Sequence, residues 1–351
     1  MSGPYDSLLV LSFGGPEAME DVMPFLRNVL RGRDVPEERM REVAHHYEQF
    51  GGVSPINAQN RALLAALEAE LTARGPDLPV YWGNRNWHPM LADTVRRMAA
   101  DGRKRALAFV TSAYSSYSGC RQYREDMARA QAEVGSGAPE IVKLRAFHDH
   151  PGFVEANADA VRKALAQIAS GRRATTRLVF TAHSIPVAMA AGCDYDAQLR
   201  ETARLVAEAV EVGEWDLAWQ SRSGPPTQPW LEPDVRDHLT ALEARGVESV
   251  VLSPIGFVSD HMEVAYDLDT EAKAHGQQIG LRVVRAPTAG THPAFVSMIR
   301  ELILERTEAG PRRGLGKSGP RRDRCADDCC PRPVAGPPPR PPTTSSIEQG
   351  D

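Results

Sequence analysis

"SVVLSPIGFVSDHMEVAYDLDTE", residues 249–271, decides the fold. It begins as a nearly unbroken apolar run. A strand with one wet face alternates apolar and polar residues; an unbroken run is buried on both faces. Strands buried on both faces belong to parallel sheets with helices on each side. The run stops at Ser259, and Asp260, His261, Glu263, Asp267, Asp269 and Glu271 follow at once. Ligands of parallel α/β sheets bind at the carboxyl ends of the strands. The stretch therefore indicates both the fold class and the place to look for chemistry.

The same pattern recurs along the chain. Apolar runs stand at 8–13 (LLVLSF), 78–83, 106–114, 140–147, 176–184 (TRLVFTAHS), 216–222 and 281–287. Between them lie segments apolar at helical spacing, such as "NRALLAALEAELTARG", which end in Gly, the residue that tolerates the left-handed position after a helix. This predicts an α/β protein of two similar Rossmann-like halves, each a doubly wound parallel sheet, about 1–150 and 151–308, with a cleft between them. A faint repeat supports two halves: Trp82 matches Trp219, Arg85 matches Arg222, and Asp93/Val95 roughly match Asp234/Val235. Chance likeness of two strand-loop-helix-strand units is the other reading. From Pro311 the chain becomes basic and Gly/Pro-rich, then Pro-rich and polar. A tail, 309–351, disordered except around "CADDCC", is expected.

The chain has 351 residues, 42% of them hydrophobic, and a net charge of −5. That is enough to bury two cores and gives no reason to expect nucleic acid. No apolar run reaches the roughly 18 residues that span a bilayer. "MSGPYDSLLVLSFGG" lacks a basic segment ahead of its short apolar stretch and reads as the first strand of a cytoplasmic protein. Five cysteines, an odd number without an export signal, argue against a disulfide framework and for metal or redox duty. No strand is followed by a Gly-rich phosphate loop, so nucleotide cofactors are not expected.

A helix starting near Met262 would place Glu263, Asp267 and Glu271 at i, i+4 and i+8. Like charges at that spacing cost a few tenths of a kcal/mol per pair. A solvated acidic face is one reading; a carboxylate track for a divalent cation is the other. His183 ends the very apolar strand "RLVFTAHSIP", where a polar side chain needs a partner or ligand. His183 and Glu263, at the ends of two strands, are placed to face each other and to bind metal or move protons. Burial at the strand end is expected to keep His183 neutral.

Seven motifs in order, "LLVLSFGGPE", "HYEQFGGVSPIN", "GNRNWHP", "TSAYSSYSGC", "FTAHSIP", "WQSRSGPPTQPWLEPDV" and "PIGFVSDHMEVAYDLD", together resemble the ferrochelatase family. The likeness covers about residues 5–305 and is nearest in type to the actinobacterial enzymes that make iron coproporphyrin. It implies a porphyrin cleft between the two halves and insertion of Fe²⁺ into coproporphyrin III with release of two pyrrole protons. His183 and Glu263 match the family's insertion pair, and Asp267 and Glu271 become a path for iron or protons. Ser54 and Tyr123 match porphyrin-contacting positions. Arg31, Arg33, His46 and Tyr47 lie where relatives bind propionates, although position 46 is Arg in some of them. Position 13 is Phe where some relatives carry an axial Tyr, which leaves His183 as the expected axial contact of product iron.

Many actinobacterial members carry a [2Fe–2S] cluster on one internal and three C-terminal cysteines. The resemblance implies Cys120, Cys325, Cys329 and Cys330 here, with zinc as the competing occupant and Cys193 left over. C-x3-C-C is not a standard metal spacing by itself. A cytoplasmic monomer in transient contact with neighbouring haem-pathway enzymes is the expected state. Other readings are a tetrapyrrole-binding or iron-sensing protein that has lost turnover, and a chelatase for protoporphyrin IX or another metal.

Overall fold

The computed structural model describes residues 4–32, 35–173, 175–224 and 227–332. Eight strands form two parallel four-stranded sheets. The first contains β1 (Ser7–Ser12), β2 (Val80–Asn84), β3 (Arg105–Val110) and β4 (Glu140–Lys143), in the order β2-β1-β3-β4. The second contains β5 (Arg177–His183), β6 (Trp215–Gln220), β7 (Ser249–Ser253) and β8 (Arg282–Arg285), in the order β6-β5-β7-β8. The strand order is the same twice, as two similar halves require.

The unbroken apolar runs have their reason in the cores. Successive strand residues point to opposite faces. Leu8 and Val10 enter one core while Leu9 and Leu11 enter another. In β5, Leu178 and Phe180 point one way and Val179 the other. The core holding Leu8 and Val10 also holds Leu178, Phe180 and Val251, so the two sheets share it. The last helix, Pro293–Thr307, returns to the first half. Arg300 on it donates to the carbonyls of Gly75 (2.6 Å) and Arg74 (2.7 Å).

Several strands stop short of their apolar runs. β7 ends at Ser253, yet Ile255 and Val258 beyond it stay buried. β3 ends at Val110, and the buried Tyr114 after it donates its hydroxyl to the Ile255 carbonyl (2.9 Å). The apolar residues past the strands join the halves rather than extend the sheets.

The internal repeat is real in topology but not in the residue pairing expected. Asn84 N donates to Pro89 O (2.7 Å) and Trp219 N to Pro233 O (2.9 Å). Asn84 bridges to Met90 and Trp219 to Asp234, and each of those partners stands immediately before the next helix, at its N-cap position. Asn84 is thus the counterpart of Trp219. Trp82 does not match Trp219, and Asp93 does not match Asp234.

The tail has neither helix nor strand through residue 332, but it is not loose. Leu315 N donates to Asp149 O (2.9 Å), Arg321 pairs with Asp194 (2.7 Å), and Arg145 donates to the Arg313 carbonyl (2.7 Å). A Cβ on Gly314 would meet Asp149 Oδ2 at 2.7 Å, so glycine there permits close docking. Residues 333–351, with the Pro-rich end, lie outside the described residues.

Candidate functional site

In each sheet the first strand lies between neighbours reached in opposite directions. That switch point is where open α/β sheets place their ligands. In the second sheet it lies between β5 and β7. His183 is the last residue of β5, and Glu263 comes on the first turn after the β7 loop. Their side chains meet, His183 Nε2 lying 3.5 Å from Glu263 Oε1. Both stay partly open to solvent, 28% and 48% exposed.

The imidazole is held from both sides. Its Nδ1 donates to the Ser184 carbonyl at 2.5 Å, which turns Nε2 toward Glu263. The His183 carbonyl accepts from the buried Tyr195 hydroxyl (3.0 Å). The expectation of a neutral His183 is overturned. Burial alone would lower its pKa, but the Glu263 carboxylate, the Ser184 carbonyl and Asp267 outweigh burial and hold it at about 9. Burial likewise favours a neutral Glu263, and His183 outweighs it, taking the carboxyl to about 2. Without ligand the two form an ion pair.

Three residues at this site were not assigned from sequence. His261 caps the turn, its Nδ1 accepting from Glu263 N (3.2 Å) and lying 3.8 Å from Glu263 Oε2. Burial lowers its pKa, consistent with a neutral ring. Gln220, buried at the end of β6, donates to the Glu263 carbonyl (3.1 Å) and lies 3.4 Å from Asp267 Oδ2. Ser221, in left-handed backbone at φ 62°, donates to the same Asp267 oxygen. His261 stood in the opening stretch as a signal; Gln220 and Ser221 had none beyond their place at a strand end.

The helix expected from Met262 is α-helical only over Met262–Val264. Ala265–Ala272 is π-helical, and Lys273–Gln278 is α-helical again. Such wide turns concentrate at functional sites. Asp267 is pushed up to about 7, first by burial and further by Glu263 and Glu271, against the lowering Ser221 hydrogen bond. Glu271 is half-exposed and 3.6 Å from Arg236. Of the three carboxylates, Glu263 is the most exposed and Asp267 and Glu271 are part-buried.

The residues expected to contact the porphyrin have diverse surroundings. Ser54 is buried beneath Gly15, where a Cβ would come 2.8 Å from Ser54 Oγ. Tyr123 is buried, with the Arg85 guanidinium 4.4 Å from its ring and Arg85 paired to Asp126 (2.7 Å). Arg31 is exposed and donates to Asn28 (2.6 Å). Tyr47 is buried with Phe25 and Met262. His46 stacks on Tyr266, ring centroids 3.9 Å apart and 8° from parallel, bridging the helix Glu37–Glu48 to the π-helical stretch. Arg33 lies outside the described residues. Phe13, Met19, Val53 and Val187 are exposed apolar side chains on segments following β1 and β5, suited to a flat apolar ligand. A separate cavity of about 470 Å³, lined by Trp219, Glu232 and Asp234, includes neither His183 nor Glu263.

The sequence profile of the ferrochelatase family matches residues 5–307. The chain belongs to the ferrochelatase family. It is 58% identical over 340 residues to the ferrochelatase of Rhodopirellula baltica, covering 95% of this chain and 97% of that protein. It is 54% identical over 338 residues to the coproporphyrin III ferrochelatase of Nocardia farcinica, covering 93% and 96%. Among solved structures, SirB of Bacillus subtilis with Fe³⁺ shares the fold at TM-score 0.55 and 13% identity, covering 86% of this chain and 97% of that one. As a ferrochelatase-family member the chain is a metal chelatase. No helix among the described residues is long and apolar enough to cross a membrane.

The cysteines of the tail sit against the body. Cys329 and Cys330 sulfurs are 3.6 Å apart, near the roughly 3.8 Å that two ~2.3 Å metal–sulfur bonds at a tetrahedral angle imply. Cys330 is buried, and so is Cys120. Burial and Cys329 push the Cys330 thiol up, with Cys120 and Cys193 within electrostatic reach. Among the described residues, no three His, Cys, Asp or Glu side chains form a closed metal cage.

Proposed function

We propose that the protein inserts Fe²⁺ into coproporphyrin III, releasing two pyrrole protons, in the cytoplasm. The observation that carries the reading is the His183–Glu263 pair at the switch point of the second sheet. Two side chains leave coordination positions open for the porphyrin nitrogens. Once His183 passes its Nε2 proton on to the neighbouring carboxylates, its single Nε2 lone pair can serve in turn, accepting one pyrrole proton or contacting Fe²⁺, and the second pyrrole proton goes to a carboxylate. Glu263 offsets the charge of the entering dication. Asp267, near 7, can accept and release a proton at neutral pH and passes it toward Glu271. That balance supports protons leaving along the carboxylate track.

Relatives named coproporphyrin III ferrochelatases at more than half identity support the substrate, and the exposed apolar side chains Phe13, Met19 and Val53 suit the macrocycle. Arg31, Arg33 and His46, with Ser54, Tyr47 and Tyr123, would anchor its edges. A [2Fe–2S] cluster on Cys120, Cys325, Cys329 and Cys330 belongs to the same reading. When bound it supplies a one-electron couple and ties the tail to the body.

The test is anaerobic. Purified protein is mixed with Fe²⁺ and either coproporphyrin III or protoporphyrin IX, and free-porphyrin fluorescence is followed. Fast loss with coproporphyrin III alone supports the reading. Porphyrin binding without loss for either moves the protein to the non-catalytic alternative.

A further inference from the structure

We infer that Arg285 is a positioning residue for metal insertion: it braces the chain on both sides of Glu263 and Asp267 and so holds these two carboxylates toward His183. This rests on the proposed function and goes beyond it by naming a residue that acts through its neighbours.

Arg285 is the last residue of β8, in register with Leu252 of β7. Ala286 N donates to Leu252 O (2.8 Å), so the backbone here is fixed to the strand that leads into the site. The Arg285 side chain reaches two acids at once. Its Nη1 and Nη2 donate to the two oxygens of Asp260 (3.1 and 3.3 Å), and its Nε donates to Asp269 (2.9 Å). Asp260 precedes Glu263 in the chain and Asp269 follows Asp267. A planar guanidinium can make such a fork; the point charge of a lysine cannot. All three side chains are partly buried, so solvent screens the pairs only in part.

Asp260 is also fixed from the first half. Its N–H donates to Gln59 Oε1 (2.7 Å), on the helix Ile56–Arg74. Asp269 accepts as well from Lys273 Nζ (2.6 Å). The acids of this stretch therefore divide. Asp260, Asp269 and Glu271 face permanent cations. Glu263 and Asp267 face His183, Ser221 and Gln220. Glu263 and Glu271 both repel the Asp267 carboxylate, and the turn between them is π-helical. A stretch under that repulsion keeps its geometry through an outside brace, and Arg285 supplies it at both ends.

Insertion of Fe²⁺ into coproporphyrin III is measured anaerobically for the full chain as wild type, Arg285→Gln and Arg285→Lys. Porphyrin affinity and stoichiometry are measured on the same samples. Thermal melting confirms folding; if Arg285→Gln does not fold, Arg285→Gln with Asp260→Asn, which leaves no carboxylate stranded at 260, replaces it. We expect kcat of Arg285→Gln to fall at least tenfold, while KM for porphyrin and porphyrin affinity change less than threefold and the stoichiometry is unchanged. Arg285→Lys, which keeps the charge and reaches one carboxylate at a time, should run at least threefold faster than Arg285→Gln. An unchanged kcat in Arg285→Gln, a loss of porphyrin affinity as large as the loss of kcat, or Arg285→Lys no faster than Arg285→Gln overturns the inference. Wild type that binds porphyrin without inserting iron overturns the proposed function itself, and this inference with it.

Discussion

His183 and Glu263 hold each other charged. Their closest atoms are 3.5 Å apart, the imidazole titrates near 9 and the carboxyl near 2. Replacing Glu263 by Gln leaves burial as the largest influence on His183, so its pKa should fall by at least two units. Proton-detected titration of the ligand-free variant checks this. The stability tied to His183 is fully present below its unfolded value of about 6.5 and is lost as pH rises through about 9. That tied to Glu263 is present above about 4.5 and lost as pH falls through about 2. The melting advantage of wild type over Glu263→Gln should therefore be largest between those windows and shrink toward pH 10.

Asp267 is expected to relay protons. Asp267→Asn should slow metal insertion by about tenfold or more, a modest share of what positioned acid–base groups contribute. Ser221→Ala removes the hydrogen bond that lowers the Asp267 pKa, so the midpoint of the pH–rate profile near 7 should move upward. An unmoved midpoint would separate Asp267 from proton exit.

The His46–Tyr266 stack joins the helix Glu37–Glu48 to the π-helical stretch Ala265–Ala272. Tyr266→Ala should release the Glu37–Glu48 segment, since a stacked aromatic pair contributes about 0.5–1.5 kcal/mol. Amide exchange in that helix should speed up several-fold while exchange in β1 and β5 stays unchanged.

Arg145 and Glu305 form a bidentate pair, each side chain 1% exposed, and Arg145 also holds the tail carbonyl at Arg313. Glu305→Ala strands a buried guanidinium and should cost about 3–5 kcal/mol in denaturant unfolding. Replacing Arg145 by Met and Glu305 by Leu together should recover much of that loss.

The central strands were legible because burial on both faces leaves a continuous apolar run; the edge strands Glu140–Lys143 and Arg282–Arg285 are mostly part-buried and showed only as shorter runs. His183 and Glu263 were legible because each ends or follows such a run with the wrong polarity for a core. Other features depend on contacts distant in sequence. The charge on His183 is decided by Glu263, eighty positions away, where the local apolar context argued for neutrality. Gly314 and Gly316 looked like disorder, yet their lack of a side chain admits Asp149. The pairing of Asn84 with Trp219 follows a backbone hydrogen bond that side-chain likeness does not report.

The account's central claim is that His183 carries metal insertion. The most direct measurement is single-turnover insertion of Fe²⁺ into coproporphyrin III by wild type and His183→Ala, with porphyrin affinity measured on the same samples. The account predicts loss of insertion by at least a hundredfold with porphyrin affinity changed less than threefold. Insertion at the wild-type rate in His183→Ala would contradict it.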